Sequence, residues 1–278
     1  MALKLMYITN DPAVALIAEQ AGVDRIFVDM EYIGKADRQG GMDTVQSHHT
    51  VRDVVTIRDA VKTAEVLVRV NPIHEAAEAH SSSKDEIDAV IAAGADILML
   101  PYFKTAAEVG EFIRLVDGRA KTMALLETPE AVEVVDDILA LRGLDEIFIG
   151  LNDLSLGYKK KFMFELLADG TVERLCRKFR EAGIPYGFGG VAAPGTGALP
   201  AERIIREHYR LGSQCVILSR SFCNTAKICD LQDINYIFNT GVEAIRREEA
   251  ECRAHLNYFE ENQYRVKHVV GEIASRLN

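Results

Sequence analysis

Apolar residues recur along the chain in short runs, separated by longer segments whose apolar positions have a helical spacing. Most of the runs are rich in valine, isoleucine and leucine without strict alternation, which is typical of strands buried on both faces. There are eight of them, over residues 3–8, 25–30, 65–70, 96–100, 122–126, 146–149, 186–191 and 214–218. Strands that alternate with helices indicate a parallel α/β sheet.

The intervening segments predict helices over residues 13–20, 51–62, 83–93, 105–116, 129–141, 169–182 and 200–211. The first follows Asn10-Asp11-Pro12, and proline is well accepted at the first position of a helix. Eight strand–helix repeats in about 220 residues favour a closed (β/α)8 TIM barrel over an open doubly wound sheet.

Beyond the eighth strand, residues 231–238 and 242–259 predict two further helices, with apolar side chains at helical spacing. This tail is longer than a barrel requires. We therefore predict a barrel domain over residues 1–222 and a helical extension over residues 223–278. The extension is expected to pack either on its own barrel or on a partner subunit.

The segment of residues 32–50 is polar, contains glycine and is much longer than a usual strand-to-helix loop. It carries Lys35, Arg38, His48 and His49. A long loop after a barrel strand either shapes a substrate site or is plain decoration. Its charged and imidazole side chains favour the functional interpretation.

Composition limits the possible partners. Apolar residues make up 48% and charged residues 27% of the chain, as in soluble globular proteins. A net charge of −10 argues against nucleic acid or an anionic membrane as a partner. The five cysteines form no CxxC pair, which is typical of reduced thiols in a cytosolic protein. No apolar segment reaches membrane-spanning length, so we expect a cytoplasmic protein.

Charged residues stand at the C-terminal ends of four predicted strands: Glu31, Arg69, Glu127 and Asp153. In parallel α/β barrels this end of the strands carries the chemistry. Glu127 and Asp153 follow neighbouring strands and could share a divalent cation, or each could merely cap the next helix. Arg69 lies in an aliphatic strand, where a charge is costly without a partner. Its planar guanidinium favours a bound carboxylate ligand over a structural ion pair.

The segments around these residues carry a resemblance. Glu127 stands in LLETPEAV and Asp153, 26 positions later, in IFIGLNDLS; FVDME ends at Glu31 and VRVN contains Arg69. Together they resemble the HpcH/HpaI aldolase and citrate lyase beta-subunit family of metal-dependent, pyruvate-type aldolases. The resemblance spans roughly residues 3 to 222.

The resemblance implies that Glu127 and Asp153 bind Mg²⁺ or Mn²⁺, the hard cations that carboxylates prefer. It implies that Arg69 contacts a 2-oxo acid such as pyruvate. The other residues implied in substrate binding are Glu31, Gly150, Leu151 and Asn152. No lysine ends a predicted strand, which speaks against Schiff-base chemistry.

The expected function is that of a carbon–carbon lyase that cleaves or forms a 4-hydroxy-2-oxo acid through a pyruvate-type enolate. A 2-oxo acid and an aldehyde are the expected small-molecule partners, and the family suggests a homo-oligomer. Two alternatives stay open: a citrate-lyase-like acyl-CoA lyase, with Lys159–Lys161 near the CoA phosphates, and a 2-oxo-acid-binding protein without catalysis.

The chain departs from the family at two positions. A histidine that serves in proton transfer commonly follows the strand-two glutamate, where this chain has Tyr32. A glutamine often precedes the metal-binding glutamate by two residues, where this chain has Leu125. Proton transfer could fall to His48 or His49 from the long loop, or to Tyr32 or water.

Overall fold

Within residues 2–34 and 48–277, which the computed structural model describes, eight parallel strands close into a barrel in chain order. The last strand pairs with the first, so no sheet edge is left unpaired. The predicted (β/α)8 barrel is confirmed. The strands are β1 (Lys4–Ile8), β2 (Arg25–Asp29), β3 (Glu65–Arg69), β4 (Ile97–Leu100), β5 (Lys121–Leu126), β6 (Glu146–Ile149), β7 (Tyr186–Val191) and β8 (Cys215–Leu218).

Helices connect the strands along the outside of the barrel. Two begin with a capping box, in which Thr50 pairs with Asp53 and Thr105 with Glu108. In the described residues the α-helices are Pro12–Gln20, Val51–Ala60, Ser83–Ala92, Ala106–Val116, Pro129–Glu133, Val135–Leu139, Leu151–Gly157, Glu165–Ala168, Thr171–Ala182, Ala201–Leu211, Leu231–Ala254 and Phe259–Arg276, with a 3₁₀ turn at Leu256–Tyr258.

Two helix predictions were wrong in detail. The helix expected over residues 129–141 is interrupted at Val134, whose backbone (φ −102, ψ 17) is not helical. The break expected near residue 240 is absent, because Leu231–Ala254 is one continuous helix. Gly241 lies inside it, and a Cβ there would come 2.7 Å from the ring of Phe222. This glycine therefore permits close packing and does not end the helix.

Apolar side chains fill two layers. One lies inside the barrel and includes Phe27, Met99, Leu125 and Phe148. The larger layer lies between the outer face of the strands and the surrounding helices. Because the strands are buried on both faces, their sequences consist mainly of consecutive apolar residues.

The N-terminal ends of the strands hold a buried ion-pair network. Arg25 is fully buried, and its Nη1 donates to Oε2 of Glu146 at 2.7 Å. Its Nε donates to Oε2 of Glu65 at 2.9 Å, and Lys121 pairs with the other oxygen of Glu65. Each buried charge thus has a partner of opposite sign, as buried charges require.

The C-terminal helices pack against this chain's own barrel. Leu231–Ala254 contacts the helices Pro12–Gln20 and Ala201–Leu211, and Phe259–Arg276 contacts Ala201–Leu211 and Glu165–Ala168. Of the two arrangements left open above, the structure contains the first; the division into two domains at residue 222 stays a prediction. No helix in the described residues is both long and apolar enough to span a membrane.

Candidate active site at the C-terminal ends of the strands

Glu127 is the first residue after β5, and only 3% of it is exposed. Its Oε1 accepts a hydrogen bond from the backbone N–H of Tyr102 at 3.0 Å. Gly150, directly after β6, lies against it: a Cβ there would come 2.8 Å from both Cβ and Oε2 of Glu127. Any larger residue at position 150 would therefore displace the carboxylate.

Asp153 lies in the first turn of the helix Leu151–Gly157, which follows β6 with one intervening residue. Burial raises the pKa of Glu127 well above its ordinary value, and the carboxylates of Asp153 and Glu31 raise it further. Arg69 and the Tyr102 N–H lower it, but their effect is smaller. Within residues 2–34 and 48–277, the positive charge near Glu127 thus does not offset its burial and its carboxylate neighbours.

Two cavities adjoin this carboxylate pair, and Glu127 and Asp153 line both. The mouth cavity, about 210 Å³, opens at the centre of the barrel and is also lined by Arg69, Asn152 and mostly apolar side chains. The side cavity, about 440 Å³, lies between the loops after β4, β5 and β6 and is also lined by Tyr102, Thr128 and Leu156. A ligand in either cavity would meet both carboxylates.

Arg69 is held by two acids from β2 and the loop that follows it. Its Nε and Nη2 donate to the two oxygens of Asp29 at 2.8 and 2.7 Å, and its Nη1 lies 3.3 Å from Oε2 of Glu31. Burial alone would lower the pKa of Arg69, but these carboxylates outweigh it and raise the pKa. The structural ion pair, the less favoured interpretation above, is therefore present. Arg69 also lines the mouth cavity, so its contact with a ligand stays a prediction.

Asp29 was missed by the sequence reasoning. It is 2% exposed and is the register partner of Arg69 across the β2–β3 pair. The sequence did indicate that Asp29 has a partner. Burial of a carboxylate in the apolar run RIFVDM is unfavourable without one, as is burial of an arginine in EVLVRV. Two opposite charges at the ends of neighbouring strands were candidates for a mutual ion pair.

The candidate bases differ in position. His49 is partly buried, and its Nδ1 accepts the backbone N–H of Asp29 at 3.0 Å. In the neutral ring this leaves the proton on Nε2, so His49 is a donor toward its surroundings. His48 is exposed, and Tyr32 is 46% exposed. None of the three lines either cavity among the described residues, and the base assignment stays a prediction. Lys35 and Arg38 lie outside the described residues.

The remaining predicted substrate residues fall into two groups. Gly150, Leu151 and Asn152 line the mouth cavity, as a substrate-binding role requires. Glu31 is 2% exposed and faces Arg69, so the structure gives it a partner within the protein. For all four residues, substrate contact stays a prediction.

Asn71 fixes the start of the segment after β2. Its Oδ1 accepts the backbone N–H groups of Tyr32 and Ile33, both at 2.9 Å, and its Nδ2 donates to the backbone O of Met30 and to Glu86. Glu86 is 7% exposed, and burial raises the pKa of its carboxyl. This pair, also missed from the sequence, holds the backbone beside Glu31 in place.

The donors present fit a hard divalent cation. In residues 2–34 and 48–277 no group of three or more histidine, cysteine, aspartate or glutamate side chains is arranged to hold a metal ion. The predicted site has two carboxylates, and a small cation such as Mg²⁺ commonly takes one or two, with water or substrate as its other ligands. Because burial and neighbouring carboxylates raise the pKa of Glu127, added positive charge beside it would stabilise its ionised form.

Comparison with known proteins gives consistent results. The model of the HpcH/HpaI aldolase/citrate lyase family matches residues 4–191. No match to a curated protein sequence was found. Among solved structures, the chain is similar to an HpcH/HpaI aldolase from Desulfitobacterium hafniense DCB-2, at 20% identity over 78% of this chain and 86% of that chain, with a TM-score of 0.56.

Two further structures share the fold. One is an HpcH/HpaI aldolase/citrate lyase family protein from Burkholderia cenocepacia J2315, at 18% identity over 84% of this chain and 95% of that chain, with a TM-score of 0.61. The other is the citrate synthase SbnG, at 16% identity over 78% of this chain and 85% of that chain, with a TM-score of 0.58. At these identities the likeness concerns the fold alone.

Proposed function

Because the chain belongs to the HpcH/HpaI aldolase/citrate lyase family, we propose that it is a divalent-metal-dependent carbon–carbon lyase. Its reaction cleaves or forms a 4-hydroxy-2-oxo acid, with the enolate of pyruvate or a related 2-oxo acid as the intermediate. One observation carries the proposal. Glu127 and Asp153 line the same cavity as Arg69, and they lie close enough that the Asp153 carboxylate helps to raise the pKa of Glu127.

Glu127 and Asp153 would hold the cation. When bound, Mg²⁺ or Mn²⁺ supplies Lewis-acid stabilisation of negative charge on a substrate oxygen. The backbone N–H of Tyr102 fixes one oxygen of Glu127 and leaves the other, Oε2, facing Gly150. The carboxylate is therefore oriented before any ligand binds, which lowers the cost of reorganisation during the reaction.

Arg69 orients and stabilises the anionic end of the substrate. Asp29 and Glu31 hold its guanidinium from β2 and the loop that follows, so the side chain keeps one direction at the cavity wall. A cation held in this way stabilises charge that develops on the 2-oxo acid as the enolate forms. Gly150 keeps the wall beside Glu127 free of side-chain atoms.

Cleavage requires two proton movements. A base takes the proton of the C4 hydroxyl, the C3–C4 bond breaks with its electron pair remaining on C3, and the aldehyde leaves. The resulting enolate then takes a proton at C3 and becomes the 2-oxo acid. His49 contacts the side of the site that holds Arg69, since its Nδ1 accepts the backbone N–H of Asp29, the partner of Arg69. We propose that a bound water, oriented by the Nε2–H of His49, takes the hydroxyl proton and returns a proton to C3.

The citrate-lyase-like alternative has less support. It relied on Lys159–Lys161 as a contact for CoA phosphates, but Lys160 already pairs with Asp169 at 3.0 Å. The aldol interpretation instead relies on Glu127, Asp153 and Arg69 for the cation and the 2-oxo acid, and all three line the mouth cavity.

Proton exchange tests the proposal without knowledge of the aldehyde. The protein is incubated with pyruvate in D₂O and Mg²⁺ or Mn²⁺, and loss of the methyl proton signal is followed by NMR. We expect metal-dependent exchange that EDTA abolishes and that Glu127→Gln and Asp153→Asn each reduce by about a thousandfold. Glu133→Gln and Asp137→Asn, exposed acids of the neighbouring helices, are charge-matched controls that should retain exchange.

Two results would contradict the proposal. One is an absence of exchange with every divalent metal tested, together with an absence of aldol product from a panel of aldehydes. The other is exchange that persists in both Glu127→Gln and Asp153→Asn, because the carboxylate pair would then play no part.

A further inference from the structure

The floor of the mouth cavity is apolar. It is formed by side chains that point into the barrel from five strands and from the end of β1: Ile8, Phe27, Met99, Leu125, Phe148 and Ile217. Phe27, Met99, Leu125 and Phe148 are each at most 3% exposed. These residues continue directly into the apolar core inside the barrel, so the floor is rigid and excludes water.

Charge is confined to one side of the same cavity. Among the described residues that line it, the charged ones are Arg69, Glu127 and Asp153. Arg69 already faces two carboxylates, from Asp29 and Glu31. In the part of the chain that the structure describes, Arg69 is thus the one cationic side chain of this cavity, and the floor offers no polar side chain to a ligand.

This arrangement discriminates between the two ends of a ligand. The carboxylate and oxo group of a 2-oxo acid can lie at the charged side, next to Arg69. A second carboxylate or a phosphate elsewhere on the molecule would lose its water against the apolar floor, where no described residue supplies a counter-ion, and this is costly. An alkyl or aryl group would instead gain from burial in proportion to its apolar area.

We propose, on the premise of the function proposed above, that the substrate carries an uncharged, carbon-rich group beyond its 2-oxo acid end. The aldehyde partner would then be a neutral alkyl or aryl aldehyde and not one that bears a carboxylate or phosphate. The apolar floor determines this specificity, and Leu125, which replaces the glutamine common in the family, is part of it.

Binding of matched 2-oxo acids tests this directly. 2-Oxopentanoate and 2-oxoglutarate have five carbons each and differ in a terminal methyl group against a terminal carboxylate. Isothermal titration calorimetry in the presence of Mg²⁺ should give a dissociation constant at least roughly tenfold lower for 2-oxopentanoate, with a negative heat-capacity change from apolar burial. Equal or tighter binding of 2-oxoglutarate would overturn the proposal.

A substitution at the rim makes the test specific to this cavity. Met163 lines the cavity and is only partly buried, so it tolerates change better than the floor does. Met163→Lys should reduce the preference for 2-oxopentanoate by roughly tenfold, because it adds the missing counter-ion. Met163→Gln, polar but uncharged, is the control and should keep the preference. An unchanged preference in Met163→Lys would contradict the assigned binding position.

Turnover separates this inference from the proposed function. Addition of pyruvate to butanal and to 4-oxobutanoate, both four-carbon aldehydes, should give a kcat/KM at least roughly tenfold higher for butanal. If pyruvate exchange occurs but 4-oxobutanoate is the better acceptor, the substrate class is wrong while the lyase function stands. If no exchange occurs with any metal, the lyase function fails, and the calorimetric comparison still decides whether the cavity selects an apolar group.

Discussion

The two ends of the barrel both bury charged side chains, but their charges are arranged differently. At the N-terminal ends of the strands, Arg25 lies between Glu146 and Glu65, and Lys121 pairs with Glu65. Three cations thus face these two carboxylates, since Lys4 also lies 3.9 Å from Oε2 of Glu65. Burial opposes the charge of Arg25, but its pairing with Glu146 outweighs this cost and raises its pKa. This end is electrostatically satisfied, as expected of a region that serves stability.

At the C-terminal ends, Arg69 faces Asp29 and Glu31 and lies near Glu127, beside Asp153. Among the described residues, one guanidinium therefore meets an excess of carboxylates. Burial and the carboxylates of Asp153 and Glu31 together raise the pKa of Glu127. Natural folds tolerate such an imbalance chiefly at functional sites, where a ligand or ion completes the charge balance. The difference between the two ends supports the proposal that the C-terminal end of the barrel binds the ligand.

The largest expected effect comes from removing one carboxylate at the C-terminal end. Glu127→Gln should lower metal-dependent pyruvate exchange by about a thousandfold, equivalent to about 4 kcal/mol in the barrier. Because a raised pKa in the folded state means that ionisation opposes folding at neutral pH, the same substitution should raise the metal-free free energy of unfolding by about 1 kcal/mol. Urea unfolding with EDTA measures this, and a clear loss of stability would contradict the charge imbalance.

The N-terminal end should respond in the opposite way. Arg25→Met leaves Glu146 buried without its partner, which typically costs about 3–5 kcal/mol in the free energy of unfolding. Exchange activity per folded molecule should stay within about twofold, since the site lies at the other end of the strands. Lys178→Met, which breaks the exposed pair with Asp136, is the control and should cost less than about 1 kcal/mol. If Arg25→Met lowered exchange per folded molecule as much as Glu127→Gln does, the two ends of the barrel would not differ in function.

Divalent cations should stabilise the folded protein by binding at the C-terminal ends of the strands and not at the N-terminal ends. At a Mg²⁺ or Mn²⁺ concentration about 100 times its dissociation constant, the free energy of unfolding should rise by about 2.7 kcal/mol. Urea unfolding with and without metal measures the gain. It should persist in Arg25→Met and vanish in Asp153→Asn. A gain of equal size in Asp153→Asn would locate metal binding elsewhere in the protein.

The effect that is smallest at neutral pH, and grows only as pH falls, concerns a residue near the N-terminal ends of the strands. His208 is fully buried and stacked on Phe188, and burial lowers the pKa of its ring to about 3. Its neutral form therefore favours folding fully above about pH 6.5, and this contribution is lost as pH falls toward 3, by about 1.4 kcal/mol per pH unit.

Replacement of His208 removes that slope. Urea unfolding at several pH values between about 4 and 6.5 should show a shallower pH dependence for His208→Gln than for the wild type. Other titrating groups contribute to both proteins, so the difference isolates His208. His268→Gln alters an exposed histidine and should retain the wild-type slope. If the free energy of unfolding depended on pH equally in the wild type and in His208→Gln, the claim that His208 is buried in its neutral form would be wrong.

Much of this protein follows from its sequence alone. The apolar runs determine eight strands buried on both faces, and their alternation with helices determines the barrel. The same pattern puts Glu31, Arg69, Glu127 and Asp153 at strand ends, because a parallel barrel brings all those ends to one rim. Secondary structure and the positions of the strand ends depend mainly on residues that are close together in the chain, so they can be predicted from one sequence.

Only the tertiary structure decided which groups meet. Asp29 pairs with Arg69 because the register of β2 against β3 sets them side by side, although 40 positions separate them in the chain. Glu86 reaches Asn71, and the helix Leu231–Ala254 continues past Gly241 because Phe222 packs there. The apolar floor likewise gathers side chains from different strands. Such contacts depend on strand register and on packing between distant segments, which no local pattern of residues encodes.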